Sequence, residues 1–270
     1  MTWDIYALRY GCNTERTAAQ NLLGRPDLHD QPAPLDYYVW LLRSGNREIV
    51  VDTGFAPTAP LDRGRYVTEP VDSMLRRVGC EASTVQDVII THLHYDHAGN
   101  LPMFPAARFH LQDTEMSFAT GRHMCAACLR VAYDVEDVVQ MVRAVYADRV
   151  AFHDGTATIA PGVTVHRVGG HTDGLQMVRV DTARGPVVLA SDAAHFYANI
   201  DQGVPFPIVF NMGDMAQGWT AARTLAGDPA RVVPGHDPLV RSRYPAVPGT
   251  DGEVVMLHME PTQSPISSKL

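Results

Sequence analysis

The sequence predicts a layered α/β sandwich, two β-sheets packed face to face with helices against their outer faces. Three observations predict it. Short runs rich in β-branched residues recur along the chain, helical patterns interrupt them, and the strand-then-helix succession occurs twice. With 270 residues, 46% of them hydrophobic and 19% charged, the chain has the apolar material for a sizeable core.

Each element has its own signal. "MTWDIYALRYG" reads as an N-terminal strand; its acid at position 4 and its lack of a basic-then-apolar layout are not those of a signal peptide. "DYYVWLLRSGNREIVVDTG" (36–54) reads as two strands reversing at Ser44-Gly45-Asn46-Arg47. "VDSMLRRVG" (71–79) has helical spacing and stops at a glycine. "QDVIITH" (86–92) and "ARFHLQ" (107–112) read as strands. Residues 113–147 read as helical, "DVEDVVQMVRAVY" being the clearest amphipathic piece, and make a helical lid or insertion over about 113–152. Strands return at 162–168, 175–181 and 185–191. "DMAQGWTAARTLAG" (214–227) is a helix ending at glycine, and "RVVPGHD" (231–237) holds a last short strand. From about Pro245 the Pro/Gly/Ser-rich tail is expected to be loose. No repeat divides the chain, so a single domain over 1–270 is expected.

Composition narrows the function. A net charge of −8 with no Lys/Arg-rich run argues against nucleic acid. No run of about 18 apolar residues exists to span a membrane as a helix. The cysteines, Cys12, Cys80, Cys125 and Cys128, form no disulfide framework, and a reducing cytoplasm is the expected home. Cys125 and Cys128 form a C-x-x-C without the second ligand pair a zinc knuckle needs, so they read as small buried hydrophobes. The final Ser268-Lys269-Leu270 is a peroxisomal address only in a eukaryotic cell.

The chemistry is concentrated in "IITHLHYDHAGN" (89–100). In an extended segment His92 and His94 project to one side, and Asp96 and His97 follow beyond the bend. Imidazole nitrogen and carboxylate oxygen together suit zinc and tolerate iron, cobalt or manganese. A lone buried histidine is most often a hydrogen-bonded core residue. Four ligand-type residues within six positions point in diverging directions, so one ion would rarely take all four, and two ions can share them. A two-ion site needs further donors at other strand exits. His171 follows "VTVHRVGG", whose glycine pair admits a close backbone approach. Asp192 ends "PVVLAS", and His236 ends "RVVPG".

The string His92-x-His94-x-Asp96-His97, then Gly-His at 170–171, Asp at 192 and Gly-His at 235–236, resembles the metallo-β-lactamase superfamily. "VVDTG" (50–54) is similar to that superfamily's first motif, and the resemblance covers residues 36–240. It implies a four-layer αββα sandwich with a binuclear site. His92, His94 and His171 would hold one divalent ion, and Asp96, His97 and His236 the other, with Asp192 bridging and Asp52 orienting a ligand. Zinc is the first expectation. The implied activity is metal-dependent hydrolysis by a bridging hydroxide, since metal coordination brings the pKa of water to about 7. No G-x-S-x-G elbow offers another nucleophile, and no nucleotide-binding glycine pattern appears.

A bridging aspartate is unlike the true β-lactamases, and leaves thioesterases, lactonases, phosphodiesterases and di-iron oxygen reductases. The layout is most similar to the N-acyl homoserine lactonase branch, through the 36–55 hairpin, the helical insertion and "SDAAHFYA" followed by "PGHD". That branch usually has tyrosine three residues after the bridging aspartate; here position 195 is histidine, and Tyr197 lies two further on. Asp96, His195 and Tyr197 are therefore the candidate catalytic residues. The expected substrate is an apolar lactone, with another ester, thioester or amide as the alternative. Aromatic and methionine side chains from 116 to 152 and from 196 to 215 are candidate channel walls. The resemblance also implies a homodimer.

Overall fold

The structure, a computed structural model, describes residues 1–24, 31–56 and 64–262. Ser268-Lys269-Leu270 lies outside them. The described strands are β1 (Asp4–Asn13), β2 (Leu35–Ser44), β3 (Arg47–Val51), β4 (Tyr66–Val67), β5 (Asp87–Ile89), β6 (Arg108–Gln112), β7 (Val150–His153), β8 (Thr156–Ala160), β9 (Val163–Arg167), β10 (Gln176–Thr182), β11 (Gly185–Ser191), β12 (Val232–Pro234) and β13 (Val254–Met256). One sheet runs β13-β1-β2-β3-β5-β6-β7, with β4 against β1; the other runs β12-β11-β10-β9-β8. The helices are α1 (Ala18–Asn21), α2 (Val71–Arg77), α3 (Tyr95–Ala98), α4 (Asp113–Thr120), α5 (Ala127–Arg130), α6 (Val135–Tyr146), α7 (Tyr197–Gln202), α8 (Met212–Ala226) and α9 (Leu239–Arg243).

Strand alternation divides the apolar residues among three cores, which is what four layers require. In β2, Tyr38, Trp40 and Leu42 face the second sheet, where they meet Val178 and Val180 of β10 and Val187 and Leu189 of β11. Val39 and Leu41 point the other way, toward Met74 and Leu75 of α2 and Met141 of α6. Val188 of β11 turns outward onto Trp219 and Ala222 of α8. The result is the expected αββα sandwich.

Three expectations are corrected. The tail from Pro245 is not loose through residue 262, because β13 pairs with β1 at Tyr6↔Met256 through Leu8↔Val254, and Val254, Val255 and Leu257 are buried. The insertion over 113–152 ends sooner, since β7 is the edge of the first sheet beside β6. After Asp154-Gly155, with Gly155 at φ +87, the chain enters β8 at the edge of the second sheet. Cys125 and Cys128 are also exposed rather than buried.

The topology gathers the site. β3 and β5 run parallel, as do β11 and β12, and β9 is antiparallel to β10, which is antiparallel to β11. The carboxyl ends of β3, β5, β9, β11 and β12 therefore open on one edge of the sandwich. Asp52, His92, His171, Asp192 and His236 follow those ends.

Candidate metal centre

The side chains after these strand ends converge. His92 Nε2 lies 3.0 Å from His94 Nδ1, and His171 Nε2 lies 2.9 Å from the same atom. Asp192 Oδ2 is 3.2 Å from His171 Nε2 and 3.7 Å from His92 Nε2. Its other oxygen, Oδ1, is 3.0 Å from His236 Nε2 and 3.2 Å from His97 Nε2. Asp96 Oδ2 stands 3.8 and 3.9 Å from those two nitrogens. One carboxylate thus presents one oxygen to each of two donor groups. The groups are His92, His94, His171 and Asp192, and Asp96, His97 and His236, with all seven residues buried.

The donor set fits a pair of cations. Ligand atoms about 2.1 Å from a tetrahedral ion are separated by about 3.4 Å, and the spacings found here bracket that value. Among the described residues His97 Nε2 is buried without a hydrogen-bond partner, an atom left facing the cluster. The far ring nitrogens are engaged as metal-binding histidines require. His97 Nδ1 donates to Asp52 Oδ2 at 2.7 Å, His171 Nδ1 to the Ile208 carbonyl at 2.7 Å, and His236 Nδ1 to the Asp36 carbonyl at 3.0 Å. Each bond leaves Nε2 facing the cluster.

Thr91 is a hub that sequence reading missed. Its N–H and hydroxyl donate to the two oxygens of Asp52 at 2.7 and 2.8 Å, and its hydroxyl oxygen lies 2.8 Å from Ser191 Oγ and 3.1 Å from His92 Nδ1. Asp52 and Ser191 both sit at positive φ, +60 and +46, a conformation that costs a residue with a side chain about 1–2 kcal/mol. The buried hydrogen bonds hold that strain directly beside the ligands.

Glu115 was also missed, because nothing local distinguishes it from any helical glutamate. From α4 it accepts the Leu93 N–H (2.9 Å) and Tyr133 hydroxyl (2.9 Å) on Oε1, and the Thr172 hydroxyl (2.6 Å) and Gly174 N–H (3.2 Å) on Oε2. It ties the His92–His94 segment to the His171 loop. The glycine pair before His171 has the role read from the sequence. Gly170 sits at φ +89, and a Cβ there would lie 2.6 Å from the Met215 backbone.

Electrostatics follow from burial and crowding. Burial pushes His92 and His94 well below the usual imidazole range, so both rings are neutral with a lone pair to offer. For His97 and His236 burial acts the same way but is outweighed, chiefly by Asp192, and both are raised. Burial opposes the Asp192 charge, yet His195, His236, His97 and His171 hold it well below the carboxylate range.

His195 Nε2 lies 3.1 Å from Asp192 Oδ2, and its ring stacks on Phe206 with centroids 3.6 Å apart. It lines a cavity of about 320 Å³ that opens over His94, Asp96, His171, Asp192 and His236. Tyr197 does not reach this cavity, which corrects its selection as a catalytic candidate. Its ring packs in the core between the sheets with Arg243 3.9 Å from its centroid, and it borders a separate pocket. Residue 197 opens α7, and its ring joins the core between the sheets while His195 lines the cavity. Of the expected aromatic and methionine channel walls, Phe206 alone lines the cavity; Arg16 and Arg65, which carry no sequence signature, line it too.

An αββα sandwich with paired His/Asp clusters at one edge defines a metal-binding hydrolase architecture. The sequence matches the metallo-beta-lactamase superfamily over residues 33–236, and the chain belongs to that superfamily. An N-acyl homoserine lactonase from a Bacillus species is 26% identical over 211 residues, spanning 72% of this chain and 77% of the relative. N-acyl homoserine lactonase AiiA of Bacillus thuringiensis subsp. kurstaki is 28% identical over 187 residues, 64% of this chain and 69% of its own. Among solved structures, a quorum-quenching N-acyl homoserine lactone lactonase superposes with a TM-score of 0.73 at 24% identity, covering 88% of this chain and 94% of that one. AidC, a dizinc quorum-quenching lactonase, superposes at 0.68 with 16% identity, over 87% and 88%. These two likenesses are of fold. Among the described residues no helix is long and apolar enough to cross a membrane.

Proposed function

We propose that the protein is a binuclear metal-dependent hydrolase that opens a lactone ring. The observation that carries the reading is Asp192, whose two oxygens face two separate histidine groups. His92, His94 and His171 would hold one divalent ion, zinc first among those the donors suit, and Asp96, His97 and His236 the other. Two such ions supply an acidified water and a Lewis acid for the carbonyl. The chain does the rest. Asp52, Asp36 and Ile208 fix the histidine tautomers through the far ring nitrogens. His195, held flat against Phe206 at the cavity wall, would donate a hydrogen bond to the substrate carbonyl or to the departing ring oxygen. Tyr37 and Leu35 wall the same cavity and would shield a bound ester from water.

Lactonase relatives support the ring ester over other bonds. The test is a panel of lactones, linear esters and thioesters presented to the metal-loaded protein, with bound metal quantified on the same sample. The expected result is about two ions per chain and fastest turnover of a lactone. Two ions with hydrolysis of thioesters alone would move the substrate class, and failure to hold any ion would end the reading.

A further inference from the structure

We infer that the cavity over the metal centre is built for a substrate carrying an oxyanion group, carboxylate or phosphate, with Arg65 as its binding residue and Arg16 as a second cation beside it. The inference rests on reading that cavity as the substrate site.

Arg65 immediately precedes β4, whose pairing with Gly11 and Cys12 at the end of β1 brings it to the wall that Asn13 and Arg16 also form. It is only 6% exposed, and its Nε and Nη1 are buried with no hydrogen-bond partner among the described residues. Among the described residues no carboxylate lies within 4.0 Å of its guanidinium. The group is held by stacking instead, 3.7 Å from the Tyr95 ring centroid and 5.9 Å from that of Phe55. Stacking engages the guanidinium face and leaves the donor edge in the plane, the geometry that receives an oxyanion in two parallel hydrogen bonds.

Arg16 adds a second positive charge, and among the described residues no carboxylate pairs with it. Its Nε donates to Asn21 Oδ1 and an Nη to the Gln20 carbonyl, both at 2.5 Å and both neutral acceptors, and the group lies 5.2 Å from the Phe206 ring. Burial, with Arg65 as a further repulsive neighbour, lowers its pKa. Two cations at one wall of a small cavity, one of them buried with orphaned donors, carry a desolvation cost that a counter-charge would relieve. A hydrocarbon chain would leave that cost in place on binding, whereas a substrate oxyanion removes it.

The experiment uses the full-length metal-loaded protein, 5-oxotetrahydrofuran-2-carboxylate and its carboxamide as matched lactones, and benzoate, phenylphosphate and benzamide as unreactive probes in calorimetry. Wild type should favour the carboxylate lactone and bind benzoate or phenylphosphate over benzamide, each by about tenfold or more. Arg65→Gln should collapse both preferences, and Arg65→Lys should restore part of them. The benzoate-to-phenylphosphate ratio identifies which oxyanion the wall prefers. Equal anion affinity in wild type and Arg65→Gln, with both variants folded by thermal melt, overturns the inference, because any anion then binds elsewhere. Loss of anion binding in Arg65→Gln with neither lactone hydrolysed by wild type supports the oxyanion site and overturns the lactone reading alone.

Discussion

Glu115 Oε1 accepts the backbone N–H of Leu93 at 2.9 Å, so a carboxylate from α4 anchors the peptide between His92 and His94. Its other oxygen takes Thr172 and Gly174, just beyond His171. Three of the seven candidate ligands are therefore positioned through one fully buried side chain. Glu115→Gln keeps the shape but turns one acceptor into a donor facing donors. Metal affinity, read by chelator competition, should fall about 10- to 100-fold while the far-ultraviolet spectrum is retained. Unchanged affinity would reduce Glu115 to a packing residue.

The same contact makes Gly174 irreplaceable. A Cβ at position 174 would overlap the backbone nitrogen and Cα of Glu115. Neither is the end of a flexible side chain, so Gly174→Ala must push α4 away from the ligand loops. Denaturant unfolding should show a loss of about 2 kcal/mol or more, and metal affinity should fall with it. A variant as stable as wild type would show that the helix yields at no cost.

The candidate ligands were legible because His92, His171, Asp192 and His236 follow recognisable strands, and His94, Asp96 and His97 share one short motif with His92. "PVVLAS" and "RVVPG" announce Asp192 and His236 in the sequence, and the fold brings those ends to one edge. What was not legible depends on contacts remote in the chain. β13 exists because β1, about 250 residues earlier, offers it an unpaired edge, and three apolar residues carry no signal alone. Arg65 and Glu115 have ordinary neighbours in sequence; their meaning lies in burial and in missing or converging partners. Tyr197 was not legible as a core residue because spacing from Asp192 says nothing of packing, and its ring joins the core between the sheets at the start of α7.

Removing metal should loosen the edge where the donors meet. Without cations, His97 Nε2 is an orphan and the Asp192 charge must be held by imidazoles alone. Ion binding to the native state alone stabilises it by mass action, about 2.7 kcal/mol at a hundredfold excess over Kd. Dialysis against a strong chelator should lower Tm by about 5 °C or more, and added zinc should restore it. His94→Ala should lose metal and hydrolysis together. Activity surviving the loss of metal would contradict the hydrolytic reading.

Asp137, in the first turn of α6, gives a pH-dependent prediction remote from the site. Burial first, then the charges of Asp134 and Glu136, push its carboxyl up to about 7. The unfolded chain titrates it near 3.8. Between those values the native state binds more proton than the unfolded state, so this group makes stability fall as pH rises toward 7. Asp137→Asn removes the titration. Its Tm advantage over wild type should therefore be larger at about pH 8.5 than at about pH 5.5. An advantage independent of pH would assign the effect to helix propensity.

His195 offers the sharpest separation of packing from chemistry. Its ring stacks within 6° of parallel on Phe206, and its Nε2 stands 3.1 Å from Asp192 Oδ2 at the cavity wall. His195→Phe preserves an aromatic ring for the stack and removes every donor; His195→Gln preserves a donor and removes the ring. If the imidazole acts on the substrate, His195→Phe should keep both ions and the wild-type Tm yet lose about 100-fold in kcat, the usual consequence of removing one positioned donor from a developing oxyanion. His195→Gln should recover part of kcat while losing stability, because the flat contact with Phe206 is gone. If the residue only packs, the order reverses, with His195→Phe active and His195→Gln impaired in proportion to its lower Tm. Measured kcat, Tm and metal content on the two variants decide between these outcomes, because no single role of His195 produces both patterns.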